Sequence, residues 1–267
     1  MTRVLLRILI ALPLALSGCG DDTTGESQTT AESADPTITP NALEPEEGDL
    51  SLGSGGSVHY RCVGQGTPAI LLEAGTDSGG TDSLGPSFVD PLADATRVCT
   101  YDRLGTGLSD APPNRKRTID DLCDVQDEVR EELGLSGPSV LAGQSGGANL
   151  VIWCASRRPE SVAAVVSIEG YHDDPADLAK GGFNWRDNPE RMDYVESSVM
   201  LNEMSMPIGD FPVLVVTATD AGSRGIKNQK YWLALSPESR QVVLEGGHDL
   251  HEEVPGEVAA EILKELP

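Results

Sequence analysis

Along the chain, short apolar runs alternate with longer stretches in which apolar positions recur every three or four residues. Residues 58–63 alternate as a half-buried strand does. Residues 69–72, 97–101, 139–142, 163–168, 213–217 and 241–244 are compact apolar or β-branched runs, each closed by turn residues. Residues 119–133 read as a helix, apolar at Ile119, Leu122, Val125, Val129 and Leu133 and stopped by Gly134. Further helices are predicted over 147–158, ending before Pro159, over 225–235, and over 254–266. Strands alternating with helices of this length predict an α/β domain over 48–267, with a mainly parallel central sheet flanked by helices. In such sheets ligands bind beyond the carboxyl ends of the strands, so the residues just past each strand are the informative ones.

The first nineteen residues follow a different pattern. Arg3 and Arg7 precede an apolar run over 8–16, too short for the roughly 20 residues of a membrane span. Leu16-Ser17-Gly18-Cys19 resembles the bacterial lipobox. A lipoprotein signal peptide over 1–18 is therefore expected, with acylation at Cys19 holding an exported protein at a cell membrane. The plainer alternative is an ordinary secretory signal that happens to contain a cysteine. Residues 19–47, rich in Asp, Glu, Ser, Thr and Pro, have little to bury and read as a solvated tether.

Charge narrows the partners. With 19 Lys+Arg against 43 Asp+Glu, a formal charge of −24, neither nucleic acid nor bare anionic lipid is an expected partner. Export changes how the five cysteines read. With Cys19 committed to lipid, Cys62, Cys99, Cys123 and Cys154 suggest two disulfides in any of three pairings, against the alternative of buried free thiols. Their spacing does not suit a zinc site, and neither metal nor cofactor is expected.

The chemistry gathers at the strand ends. Gly143-Gln144-Ser145-Gly146-Gly147 lies between a predicted strand and a predicted helix, a G-x-S-x-G turn. A turn this tight holds the serine hydroxyl clear of the sheet and puts the Gly146 amide at a helix N-terminus, where it can donate to a developing oxyanion. The bland alternative is a glycine-rich turn with a capping serine. A serine nucleophile needs a base oriented by an acid. Of the four histidines, His59 lies within an early strand and His172 follows the strand ending at Ile168. His248 and His251 follow the last strand. A metal pair at those two positions lacks a third ligand, and His248, at the strand tip after two glycines, is the expected base. For the acid, Asp220 comes just past the strand over 213–217, with helix capping as its ordinary alternative. Glu169, Asp173 and Asp174 are held in reserve.

The order Ser145, Asp220, His248, together with Tyr101-Asp102-Arg103-Leu104-Gly105-Thr106-Gly107-Leu108-Ser109 and Gly247-His248 before Val254-Pro255, resembles the α/β-hydrolase family. The resemblance covers nearly everything from residue 50 onward. It implies a cap over 171–210, inserted before the penultimate strand, with an apolar lining from Phe183, Trp185, Met192, Tyr194, Val199, Met200, Leu201, Met204 and Met206. Where the family usually carries His-Gly this chain has Glu73-Ala74, and alignment on Gly75 makes the Thr76 amide the second oxyanion donor. Gln144 stands where the family often has His. Ser145 disfavours the aspartate-nucleophile branches. The resemblance also implies the pairings Cys62–Cys99 and Cys123–Cys154, because the corresponding strands are neighbours and the corresponding helices share a face.

The expected function is a serine hydrolase cleaving small-molecule carboxylic esters through an acyl-enzyme. Two alternatives stand beside it: an aminopeptidase-like amide hydrolase, in which Glu169 would grip an ammonium group, and a non-catalytic surface binding protein.

Overall fold

The computed structural model describes residues 44–135 and 137–266. The expected signal peptide, Cys19 and the tether as far as residue 43 lie outside the described residues. Among those described, no helix is long and apolar enough to cross a membrane.

An eight-stranded sheet runs in the order β1-β2-β4-β3-β5-β6-β7-β8. The strands are β1 (Glu46–Ser51), β2 (Ser57–Val63), β3 (Ile70–Glu73), β4 (Val98–Tyr101), β5 (Ser139–Gln144), β6 (Val162–Ile168), β7 (Val213–Ala218) and β8 (Ser239–Leu244). β1 and β2 pair antiparallel, as do β2 and β4, and every other pairing is parallel. The helices are α1 (Gly80–Ser83), α2 (Pro86–Ala93), α3 (Ile119–Glu132), α4 (Gly146–Arg157), α5 (Pro175–Lys180), α6 (Tyr194–Glu203), α7 (Gly222–Gln229), α8 (Leu250–Glu253) and α9 (Pro255–Leu263).

The apolar runs are continuous, not alternating, because the central strands are buried on both faces. Leu71, Cys99, Leu141, Val165 and Val215 face one way, into a core shared with Ile119, Leu150 and Val151 of α3 and α4. Their neighbours Ile70, Leu72, Val98, Val140 and Val166 face the other way, against Phe88 of α2 and Val258 and Ile262 of α9. Truncating a fully buried residue such as Leu141 to Ala should cost about 2–5 kcal/mol. α3 starts where Thr118 and Asp121 form a reciprocal cap, the Thr118 amide donating to Asp121 Oδ2 at 2.9 Å.

Cys62 and Cys99 are register partners on β2 and β4 and are disulfide-bonded, with Cα atoms 4.1 Å apart. Cys123 of α3 and Cys154 of α4 form the second bridge, Cα atoms 5.4 Å apart. Both separations lie inside the reach of a disulfide. The four cysteines are thus bonded in pairs, not buried as free thiols.

Some elements differ from the sequence reading. β1 begins at Glu46, so residues 46 and 47 belong to the sheet and not to the tether. The helix expected over 225–235 is α7 followed by a 3-10 segment, Lys230–Leu235. The closing helix expected over 254–266 is α9, Pro255–Leu263, and a separate short helix, α8, precedes it and ends before Pro255. The segment between β6 and β7, expected to form a cap, carries α5 and α6.

Candidate active site

Ser145 joins β5 to α4 with φ 54° and ψ −118°, a conformation that L-residues rarely adopt. The strain is sustained by packing: a Cβ on Gly143 would collide with the backbone of Gly147, and one on Gly147 would collide with the carbonyls of Glu73 and Ala74. Only glycine fits at either place. The Ser145 amide donates to the Ile168 carbonyl of β6 at 2.8 Å. Its side chain makes no capping hydrogen bond to α4, so the hydroxyl is not spent on the role that a serine at a helix start usually plays.

Ser145 lines a cavity of about 360 Å³. Gly146 and Thr76 also line it, and a Cβ built on Gly146 would lie 3.3 Å from the Thr76 amide nitrogen. The two expected oxyanion donors are therefore adjacent. Of the residues expected to line the cap, Phe183, Met192, Tyr194 and Leu201 face this cavity. Met200, Met204 and Met206 instead pack onto the core, and Val199 is exposed.

His248 sits in the loop after β8, and its carbonyl accepts a hydrogen bond from Gln144 Nε2 at 3.2 Å. Gln144 thus ties the histidine loop to the serine turn. The carboxylate at the imidazole is Glu169, with Oε2 3.4 Å from His248 Nδ1. Glu169 follows β6 directly, has φ 52°, and is 1% exposed. Its Oε1 accepts from the Ala218 amide at 2.6 Å and from Gln229 Nε2 at 2.9 Å. Burial alone would raise its pKa; the His248 contact and these two donors outweigh burial and hold it below the ordinary carboxylate range. In return, the Glu169 hydrogen bond raises the His248 pKa above 6.5 against partial burial.

Asp220, the acid expected first, is not beside the histidine. β7 ends at Ala218, and the chain enters a 3-10 turn over Thr219–Ala221 that carries Asp220 to the exposed rim. There the Asp220 amide donates to the Gly246 carbonyl at 3.1 Å. Nor does Asp220 cap α7, whose N-cap is Ala221. The place beside His248 that Asp220 was expected to fill is taken by Glu169, one of the reserve residues. Asp173, another of them, lines the cavity without reaching His248, and Asp174 caps α5 through the Ala176 amide at 2.8 Å.

The other histidines have separate surroundings. His59 faces Asp49 Oδ1 at 2.9 Å and Glu47 Oε1 at 3.3 Å on β1. His172 stacks on Tyr231 with ring centroids 3.6 Å apart and borders the cavity. His251 is buried edge-on to Phe88. Among the described residues no three His, Cys, Asp or Glu side chains gather as metal ligands.

The sequence reading missed Arg103, which is buried beneath the loop bearing Thr76 and donates to the Gly75 carbonyl at 2.7 Å. Its signal was the unexplained Glu73 where the family has histidine, since a buried carboxylate calls for a cation.

A serine turn between a parallel strand and a helix, a carboxylate-bound histidine after the last strand, and a cap before the penultimate strand are now in place. The domain has the α/β-hydrolase fold. Residues 70–193 match the family described as the alpha/beta hydrolase fold. The putative carbamate hydrolase RutD of Caulobacter vibrioides is 28% identical over 127 residues, which are 46% of this chain and 45% of that protein. The match spans less than half the length of the curated relatives. Among solved structures, a thermophilic esterase from Thermogutta terrifontis superposes with a TM-score of 0.64 at 18% identity, over 82% of this chain and 97% of that one. An enol-lactonase from Burkholderia xenovorans superposes at 0.61 and 18%, over 82% and 99%. At these identities the likeness is one of fold.

Proposed function

We propose that this α/β-hydrolase domain is a serine hydrolase that cleaves small carboxylic esters through an acyl-enzyme. One observation carries the reading: His248 rests on a buried, hydrogen-bonded carboxylate and is tied by Gln144 to a strained serine whose hydroxyl caps nothing. Ser145 Oγ attacks the ester carbonyl carbon while His248 Nε2 takes its proton. Glu169 holds Nδ1 and stabilises the imidazolium that forms. The amides of Gly146 and Thr76 receive the oxyanion, a contribution of about 3–4 kcal/mol per donor in a well-studied protease. As the tetrahedral adduct collapses, the bond to the leaving oxygen breaks and His248 returns the proton to it. A water deprotonated by the same histidine then releases the acid and frees Ser145.

The apolar side chains of Phe183, Met192 and Leu201 suit a neutral acyl or alcohol group. The aminopeptidase-like alternative loses its support, because Glu169, the carboxylate it needed for an ammonium group, is engaged by His248, Ala218 and Gln229. Acylation at Cys19, with the enzyme exported and held at a membrane by lipid, remains part of the proposal on the strength of Leu16-Ser17-Gly18-Cys19. Cys19→Ala should shift the protein from the membrane to the soluble fraction; unchanged fractionation would remove this part.

The hydrolase reading is tested with p-nitrophenyl esters and a fluorophosphonate probe. Wild-type protein should turn over the esters and be labelled once per chain, and Ser145→Ala should do neither. Full esterase activity in Ser145→Ala would overturn the mechanism.

A further inference from the structure

Beside the loop that carries the Thr76 amide lies a nearly buried charge cluster that makes no contact with Ser145 or His248, although Arg103 and Glu190 also border the serine cavity. Arg103 is 5% exposed, Glu73 0% and Glu190 1% by side chain. The guanidinium forks in three directions. Nη1 donates to the Ala74 carbonyl at 2.9 Å and to Glu73 Oε2 at 3.2 Å. Nη2 donates to the Gly75 carbonyl at 2.7 Å and to Glu190 Oε1 at 2.7 Å, and Nε donates to Glu190 Oε1 at 3.1 Å. Glu73 is held in turn by Tyr101 Oη at 2.6 Å and Gln126 Nε2 at 2.8 Å.

Two facts give this cluster a direction. The carbonyls it grips belong to the two residues immediately before Thr76, so the guanidinium fixes the peptide planes leading to the second oxyanion donor. Glu190 lies on the cap, between β6 and β7, whereas Glu73 and Arg103 lie on the body. A second cap residue, Tyr194, reaches the same loop from the other side, its hydroxyl 3.3 Å from Asp77 Oδ1. An oxyanion donor is effective only when its geometry is fixed before the charge develops, and small displacements are expensive in rate.

We propose that Arg103 is a positioning residue for the oxyanion hole, and that Glu190 makes that setting depend on the seating of the cap. The inference rests on the hydrolase reading above. Arg103 matches carboxylate and carbonyl acceptors as a planar fork, which a lysine ammonium of the same charge does not reproduce.

The experiment compares Arg103→Lys and Glu190→Gln with the wild type, all as the full chain. Fluorophosphonate titration counts the competent sites, and kcat is expressed per titrated site. If Arg103 positions the donor, Arg103→Lys should lower per-site kcat at least tenfold with KM within twofold, and affinity for a trifluoromethyl ketone should fall by a matching factor. Glu190→Gln should lower both in the same sense by a smaller factor, and it decides the matter if Arg103→Lys does not fold. A cluster that merely stabilises the fold would reduce the number of titrated sites and leave per-site kcat unchanged in both variants, which overturns the proposal alone. A wild type that neither turns over esters nor takes up the probe overturns the hydrolase reading and this proposal with it.

Discussion

Two ion pairs flank the serine turn, and they are built in opposite ways. On one side Arg103 is held between Glu73 and Glu190, 5% exposed and bordering the serine cavity, with every close acceptor a carboxylate or carbonyl. On the other, His248 touches Glu169 by one contact at 3.4 Å, and its side chain is 48% exposed. Although burial disfavours the guanidinium, Glu190 and Glu73 hold its pKa above the ordinary value, so its charge is constant over any accessible pH. The histidine, by contrast, is a titrating group whose pKa the Glu169 hydrogen bond raises above 6.5. The sealed pair is suited to fixing geometry and the open one to moving a proton. Exposure, more than the identity of the carboxylate, separates the two tasks.

Removing the mobile group should cost turnover and spare the fold. His248→Ala is expected to lower kcat on the order of 10⁴-fold or more, with the double variant Ser145→Ala/His248→Ala little worse than either alone, because the pair acts as a unit. Glu169→Gln should approach the same loss through the wrong imidazole tautomer, whereas Asp220→Asn, on the exposed rim, should stay near wild-type turnover. Steady-state kinetics on one p-nitrophenyl ester checks all four. Severe impairment in Asp220→Asn together with normal Glu169→Gln would reverse the acid assignment.

Removing the fixed group should cost the fold as well as turnover. Arg103→Met strands two buried carboxylates, and losing one partner of a buried charge cluster typically costs about 3–5 kcal/mol of stability. His248→Ala, at a half-exposed position, should change the urea midpoint far less. Equal midpoints for the two variants would mean that the buried cluster supports the fold no more than the open pair does.

The two sides were also unequally legible in the sequence. Ser145 and His248 were readable because a strand-to-helix glycine turn and a strand-tip histidine impose local patterns that survive without any partner in view. The acid was not, because Glu169 and Asp220 both follow core strands, and only the φ of 52° at Glu169 turns that carboxylate inward while a 3-10 turn carries Asp220 outward. β1 was missed because Glu46, Glu47 and Asp49 offer no apolar alternation. That strand is held by backbone pairing to β2 and by side-chain contacts of its carboxylates with His59, Arg61 and Arg97. The helices α1 and α5 carry too few turns to establish a period, α2 is interrupted by Pro91, and α6 buries Ser197 and Ser198 beside Leu201, so its inner face is not marked by apolar residues. The Arg103 cluster joins residues up to 87 positions apart, beyond the reach of any local pattern.

The fixed side is braced covalently as well. Cys123–Cys154 joins α3, which supplies Gln126 to Glu73, to α4, which begins at the serine turn. Replacing that pair by serines should cost about 2–4 kcal/mol, as loop-constraining disulfides generally do. Replacing Cys62 and Cys99 should cost a similar amount at the β2–β4 pairing. Urea denaturation of each double variant supplies the number, and a change under 0.5 kcal/mol, the ordinary range for innocuous surface substitutions, would show that the bridge constrains little.

The smallest expected effect is a displacement along the pH axis, and it belongs to the open side alone. The base must start neutral, so kcat/KM should fall as pH drops through the pKa of His248 in the free enzyme. The Glu169 hydrogen bond favours the protonated ring and outweighs the partial burial that opposes it, which places that midpoint above 6.5. Glu169→Gln removes the leading cause of the increase while leaving the burial, so the midpoint should move lower. Because this variant turns over slowly, the titration is best followed through the imidazole Cε1 proton by NMR. Arg103→Lys keeps the charge in its sealed cluster and contributes nothing to the His248 shift, so its midpoint should match the wild type. A midpoint unmoved by Glu169→Gln, or moved by Arg103→Lys, would mean that the two ion pairs do not divide the work as their exposure indicates.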